Sequence, residues 1–327
     1  MHTYKSIGNN STNRIKLAAS KSKENMKGLL TLDRVIKDYD QLRAVDQISF
    51  EVPDSCIFGL LGPNGAGKTS LIRIITGITR ADSGTVFLQG QPINTLQNPS
   101  IGYMPEERGL YKKMKVGEQL IYLCRLKGKS AAEAKQSVTN WMERFEIMSW
   151  WNKKVEELSK GMSQKVQFIA TVVHDPSLII LDEPFSGLDP INSNLIKDVI
   201  IDLKNKGAAI LFSTHRMEQV EELCEQIVLI NKGKAVLQGL VKEIRHQFKE
   251  HLFELVMNPS EGISWDGYAD LLSTQNDVSI IRLAENRKSN EILQHIISQN
   301  IDIVSFKEIY PTFNDIFIRT VNESNHE

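Results

Sequence analysis

The stretch that most constrains the fold is Gly62-Pro63-Asn64-Gly65-Ala66-Gly67-Lys68-Thr69-Ser70. The apolar run Cys56-Ile57-Phe58-Gly59-Leu60-Leu61 precedes it and reads as a buried strand. Leu71-Ile72-Arg73-Ile74-Ile75 follows and reads as a helix. A strand, a loop of the form G-x-x-x-x-G-K-T and a helix make a cradle for phosphate. Glycines let backbone N–H groups turn inward and approach anionic oxygens closely. The helix beyond aims its free N-terminal N–H groups and positive dipole end at the same anion. Lys68 is placed to reach β- and γ-phosphates, and the Thr69 hydroxyl is placed to bind Mg²⁺.

The 327 residues suffice for one large or two ordinary domains. A formal net charge of -1 argues against a nucleic-acid partner held by a basic field. Cys56, Cys124 and Cys224 are far apart and odd in number, and they read as buried thiols rather than disulfides or a metal cluster. No apolar run reaches the roughly 18 residues that a membrane-spanning helix needs, so action at a membrane is expected to go through a partner. Residues 1–27 are rich in Lys, Ser and Asn, lack an apolar signal core and read as a flexible tail. Met26-Lys27 stands directly before the first strand-like run and offers an alternative start.

Strand-like runs follow at 29–35, 47–52, 56–61, 84–88 and 100–104, with Tyr39 expected in the loop between the first two. Segments 116–126 and 131–145 then carry helical periodicity, with Gly128 as a stop between them. This reads as a helical insert, 106–165, within an α/β domain. Short apolar runs return at 177–181, 208–212 and 226–230, spaced by helix-length segments, as in a parallel sheet buried on both faces. The main domain is expected over 28–247. Over 248–327 strand-like runs (252–257, 278–283, 301–306) alternate with helix-like runs (289–298, 313–321). That part reads as a small α+β accessory domain without clustered His, Cys or carboxylates.

Leu178-Ile179-Ile180-Leu181-Asp182-Glu183-Pro184 is an apolar strand ending in two acids. Behind a phosphate loop, the first is expected to hold Mg²⁺ and the second to polarise an attacking water. Four further segments complete a set: Leu158-Ser159-Lys160-Gly161-Met162 opening a helix, Ser186-Gly187-Leu188-Asp189, Ser213-Thr214-His215 after an apolar strand, and Tyr39. In this order, across 29–245, the set resembles the ATPases of ABC transporters, with their signature, D-loop, H-switch and adenine-stacking aromatic. The resemblance implies a P-loop NTPase fold of the ABC type with an inserted helical subdomain. It implies ATP and Mg²⁺ as cofactors, bound by residues 62–70, Tyr39, Asp182 and Asp189. It further implies a head-to-tail homodimer or heterodimer. In that dimer the P-loop, Asp182 and His215 of one subunit face Ser159 and Gly161 of the other across ATP. Glu183 would be the general base, and His215 would hold the γ-phosphate and water.

Two departures stand out. Lys160 and Met162 occupy positions where the family's signature has glycine and glutamine. In Ile101-Gly102-Tyr103-Met104-Pro105-Glu106 a glutamate stands where the family has glutamine. A carboxylate suits a hard cation better than an amide, so Glu106 joins Thr69 and Asp182 as an expected Mg²⁺ ligand. Pro105-Glu106-Glu107-Arg108-Gly109-Leu110-Tyr111 and the signature variant resemble the ABC-2-type exporters of the sodium- and drug-export group. Pro311-Thr312-Phe313-Asn314-Asp315-Ile316-Phe317 resembles the close of that group's accessory domain. The branch implies an integral-membrane permease as partner and a cytoplasmic position, peripheral on the inner face of the cell membrane. Residues 103–111 and the helices after them would receive the permease, whereas Trp150 and Trp151 read as core packing. The rival reading is a soluble ABC ATPase acting on ribosomes or DNA. A single P-loop, the absence of sustained heptads between 70 and 159, and the near-zero charge count against it. A GTPase is disfavoured because Asn231-Lys232-Gly233-Lys234 lacks the aspartate of a base-reading motif and reads as a turn.

Overall fold

The strands of the first structural unit fall into two kinds. β1 (Leu30–Tyr39) and β2 (Leu42–Val52) mix buried and exposed positions and pair antiparallel. Such strands offer one face to a core and one to water. β3 (Ile57–Leu61) is buried at every position, as a strand inside a doubly covered parallel sheet must be. β4 (Ser83–Leu88) and β5 (Gln91–Pro92) extend the first kind, giving an antiparallel sheet in the order β2-β1-β4-β5. β6 (Ile101–Met104), β7 (Leu178–Asp182), β8 (Ala209–Ser213) and β9 (Gln226–Asn231) join β3 in parallel. β10 (Lys234–Leu240) closes the edge antiparallel to β9, and the order is β10-β9-β3-β8-β7-β6. The chain is thus an α/β protein built on a parallel sheet. The computed structural model describes residues 28–93, 98–107, 109–258, 263–265, 267–275 and 277–326, and the expected tail, 1–27, lies outside them.

Tyr39 is not in a loop. β1 runs through it, because the hairpin turn is only Asp40-Gln41, with Asp40 in the left-handed region (φ 48°) and Tyr39 paired to Leu42. A two-residue turn of positive φ matches the twist of the strands it joins.

Helices α1 (Lys68–Ile75), α2 (Val116–Leu126), α3 (Ala131–Arg144), α4 (Lys160–Val172), α5 (Pro190–Asn205) and α6 (Met217–Leu223) belong to this unit, and α7 (Val241–Gln247) begins at its last residue and runs out of it. Local chemistry sets their ends. Ser130 caps α3 by accepting from the Glu133 N–H, while the Glu133 carboxylate accepts from the Ser130 N–H. Asp189 caps α5, and Pro190 fills its first turn, where a missing N–H costs nothing. Phe145 of the helical insert packs on Phe168 of α4, ring centroids 5.8 Å apart, and both are fully buried. Each such side chain contributes about 1.5–3 kcal/mol of burial. Trp151 lies against Gly117 of α2, where a Cβ would come within 2.5 Å of its ring.

The second unit spans Lys242–Arg319. β11 (Leu252–Asn258), β12 (Ala269–Gln275), β13 (Val278–Leu283) and β14 (Asp302–Ile309) form an antiparallel sheet in the order β12-β13-β11-β14. α8 (Ser289–Ser298) contributes Ile292 and Ile296 to a core with Phe253, Leu255 and Ile281. β12 carries no strand signal in the sequence, since every position after Ala269 is exposed and polar residues dominate. The last helix, α9 (Phe313–His326), leaves this unit, and from Thr320 the chain belongs to the first unit again. There the Asn231 amide donates to Ser324 Oγ at 2.7 Å and to Asn325 Oδ1 at 3.3 Å.

Candidate functional site

In a parallel sheet, ligands bind outside the carboxyl ends of the strands. Four neighbouring strands, β3-β8-β7-β6, end here in the residues that the sequence singled out. β3 leads into the glycine loop, β8 into Thr214-His215, β7 into Asp182-Glu183, and β6 into Pro105-Glu106.

The loop takes its shape from close backbone approach. Gly62 (φ 150°) lies so near β9 that a Cβ would fall 2.2 Å from the Ile230 carbonyl oxygen. Gly67 (φ 109°) caps α1 in the left-handed region without a side-chain bond, leaving the first N–H groups of the helix free for an anion. Below the loop, Gly233 N–H donates to Ala66 O at 2.9 Å and Asp46 N–H to Gly233 O at 2.8 Å. Lys68 Nζ donates to Gly62 O (2.7 Å) and Pro63 O (3.0 Å), so the ammonium lies along the loop. Pro63, Asn64, Gly65, Ala66, Thr69 and Ser70 follow the same backbone, with Thr69 and Ser70 in the first turn of α1.

The electrostatics of Lys68 show which groups share its space. Burial pushes its ammonium below the ordinary range, and the carboxylates of Asp182, Glu183 and Glu106 pull it back up. Burial likewise pushes the Asp182 carboxyl up, and the charges of Glu106 and Glu183 add to the rise. Three acids face one lysine. That imbalance, with a hard oxygen donor set from Thr69, Asp182 and Glu106, fits Mg²⁺ brought in with a nucleotide. Among the described residues no three His, Cys, Asp or Glu side chains form a ready cage. Mg²⁺ needs none, because it takes one or two carboxylates together with substrate phosphates and water.

Glu183 is held from three sides. It sits just past β7 with φ 49°, its N–H bonded to Ser213 O at 3.0 Å. His215 N–H donates to Oε1 at 2.8 Å, His215 Nδ1 lies 2.6 Å from the same oxygen, and the Thr214 hydroxyl is 3.3 Å from Oε2. A carboxylate only accepts, so Nδ1 carries the ring proton. The Glu183 side chain is 13% exposed and that of His215 65%, so the ring covers the acid from the solvent side.

Ser159, Gly161 and Asp189 form a second group. Ser159 caps α4, its hydroxyl accepting from Met162 N–H at 3.3 Å, and Gly161 approaches Gly187 and Leu188. Asp189 accepts from Asn192 N–H at 2.9 Å, a bond that lowers its carboxyl below the usual range. Lys160, the departure from the family pattern, lays its stem across Gly187, whose Cβ position is 2.4 Å from the lysine Cε. Tyr39 is exposed at the end of β1, with Lys37 Nζ 5.3 Å from its ring centroid. Sequence reasoning missed Gln164 and Gln167 and gave Thr214 no role beyond its place in Ser213-Thr214-His215; all three are buried polar side chains that touch the loops of the acids. For the two glutamines the available signal was a pair of amides three residues apart on one side of a helix.

A glycine loop between a buried strand and a helix, with paired acids ending the neighbouring parallel strands, defines a P-loop nucleotide-triphosphate-binding domain. Comparison with known proteins narrows this. Residues 45–186 match the ABC transporter family model, and 239–321 match the model of the ATP-binding protein DrrA1-3-like, C-terminal domain. The ABC transporter ATP-binding protein YhaQ of Bacillus subtilis is 46% identical over 301 residues, covering 90% of this chain and 98% of that one. The Nod factor export ATP-binding protein I of Paraburkholderia xenovorans is 37% identical over 64% of this chain and 70% of that one. A solved ATP binding subunit of an ABC transporter superposes with a TM-score of 0.63 at 29% identity, covering 67% of this chain and 93% of that one. The chain belongs to the ABC transporter ATP-binding proteins and carries a DrrA-like C-terminal domain.

Proposed function

We propose that this chain is the ATP-hydrolysing subunit of an exporter, in which two such subunits close over ATP and a separate integral-membrane permease moves the cargo. The observation that carries the chemistry is the Glu183 carboxylate, held by His215 and Thr214 at the strand end next to Lys68 and Asp182. Residues 62–70 cradle the phosphates, Lys68 reaches the β- and γ-oxygens, and Tyr39 stacks on adenine. Thr69, Asp182 and Glu106 would hold Mg²⁺, whose chemistry there would be to offset negative charge on the phosphates. Glu183 takes the proton from water as that water attacks the γ-phosphorus and the bond to the bridging oxygen breaks. With Nδ1 donating to Glu183, His215 can also donate to a phosphate oxygen only as the doubly protonated ring. Ser159, Gly161 and Asp189 complete the site of a second subunit.

Export is supported by the name of the Nod factor relative and by the DrrA-like match. The permease is supported by two observations. Among the described residues no helix is long and apolar enough to cross a membrane. Tyr111, Tyr122, Leu126 and Met148 also stand exposed on and beside the helical insert. The test is Glu183→Gln. It should keep ATP binding, lose turnover and accumulate as a dimer in ATP, and full ATPase activity would refute the assignment of the base. Fractionation with and without the co-expressed permease tests the partner, and co-sedimentation with ribosomes instead would favour the soluble alternative.

A further inference from the structure

Two amides on one face of α4 reach the two acidic loops of the site. Gln164 Nε2 donates to Pro184 O at 3.0 Å, and Pro184 directly follows Glu183. Gln167 Nε2 donates to Pro105 O at 2.7 Å, and Pro105 directly precedes Glu106. Three residues apart, the pair shares one side of the helix. Each residue is only 4% exposed. A carbonyl can only accept, so both amides have fixed orientations. The Pro105 loop is held close to the helix from behind as well. A Cβ at Gly102 of β6 would fall 2.2 Å from Thr171 O of α4, and the Thr171 hydroxyl donates to Gln167 O at 2.9 Å. The first turn of this same helix is Ser159–Met162.

We propose that Gln164 and Gln167 are positioning residues that fasten the Glu183 loop and the Glu106 loop to the signature helix. Any load on Ser159 and Gly161 then reaches both acids through one rigid element. Packed elements shift as units rather than deform, so the two acids move with the helix and not independently of it. Gln167 sets the position of the metal-facing acid and Gln164 that of the base. The inference rests on the metal reading of Glu106 given above.

The test uses the full chain with Gln167→Met and Gln164→Met, which keep the length of the side chain and replace its amide, donor and acceptor together, with a thioether that cannot donate. Mn²⁺ affinity is read by electron paramagnetic resonance with a non-hydrolysable ATP analogue, and kcat and KM for ATP are read separately. Gln167→Met should weaken Mn²⁺ binding about 10-fold, as loss of a group that orients a metal ligand does. Glu106→Gln should weaken it at least as much, and the double variant no further. Gln164→Met should leave Mn²⁺ affinity alone and lower kcat with KM for ATP unchanged. General loosening of the helix would move both readouts in both variants, and that result overturns the proposal. Weakened Mn²⁺ binding in Glu106→Gln but not in Gln167→Met overturns it too, while the metal reading stands. Unchanged affinity in Glu106→Gln overturns the metal reading, and the assignment of Gln167 falls with it.

Discussion

His174 is the clearest place where burial should appear as a pH effect. It lies between α4 and β7, 6% exposed, with Nε2 3.4 Å from Ile101 O. Lys127 Nζ already donates to that carbonyl at 3.1 Å, and to Asn98 O. A second positive charge there would be desolvated and would face Lys127, with Lys129 further against it and only the Ile101 carbonyl and Asp175 in its favour. Burial, then Lys127, pushes the imidazole down from 6.5 to about 4. A histidine depressed on folding gives full stability above its unfolded value and loses it as pH falls toward the folded one. Between pH 7.5 and 5 the unfolded ring takes up a proton that the folded ring refuses, and the linkage relation puts the loss at about 2 kcal/mol. Substituting His174→Gln removes the titration, so the variant should lose about 2 kcal/mol less than the parent over that interval. Urea unfolding followed by tryptophan fluorescence measures this. A Trp265→Phe background leaves Trp141, Trp150 and Trp151 to report the first unit. Carboxylates that titrate in the same range are common to both proteins and cancel. Parallel loss of stability in the two proteins would refute the argument that a buried neutral ring is the source.

Lys68→Ala should abolish nucleotide binding measured by fluorescent-ATP titration, and retained affinity would remove the phosphate role from the loop. Gly117→Ala forces a methyl into the Trp151 ring, to within 2.5 Å of Cε2. Overpacking of this kind costs about 1–3 kcal/mol, and a thermal melt should show the loss. Adding Trp151→Leu should recover part of it.

Elements whose burial is complete were readable from sequence, because an apolar run with no polar face has few other uses. β3, β7 and β8 are such runs, and the motif residues follow directly from their ends. β12 was not readable, since an exposed edge strand with Asp270, Ser273, Thr274 and Gln275 looks like a loop until a partner strand lies beside it. β1 was readable only in its first half. Its far end is exposed and polar, and the hairpin turn that carries it to Tyr39 depends on Asp40 adopting a positive φ. In the site, the acids, lysine and histidine carried their chemistry in type and order. Thr214, Gln164 and Gln167 did not, because what they do depends on which carbonyl or carboxylate the fold brings within 3.5 Å.

The path of the chain through its two units has a practical consequence for dissecting them. Because Thr320 onward returns to the first unit and Asn231 binds Ser324 and Asn325, the accessory unit is an excursion with two covalent exits rather than an appendage with one. A protease that cuts once inside 242–319 therefore yields a nicked molecule whose pieces stay associated, visible as two bands on a denaturing gel but one species in native mass spectrometry. A fragment meant to represent the ATPase alone has to keep 320–326, joined by a designed linker to Val241. Simple truncation at the unit boundary strips two hydrogen bonds from the strand end that leads into the turn beneath the phosphate loop.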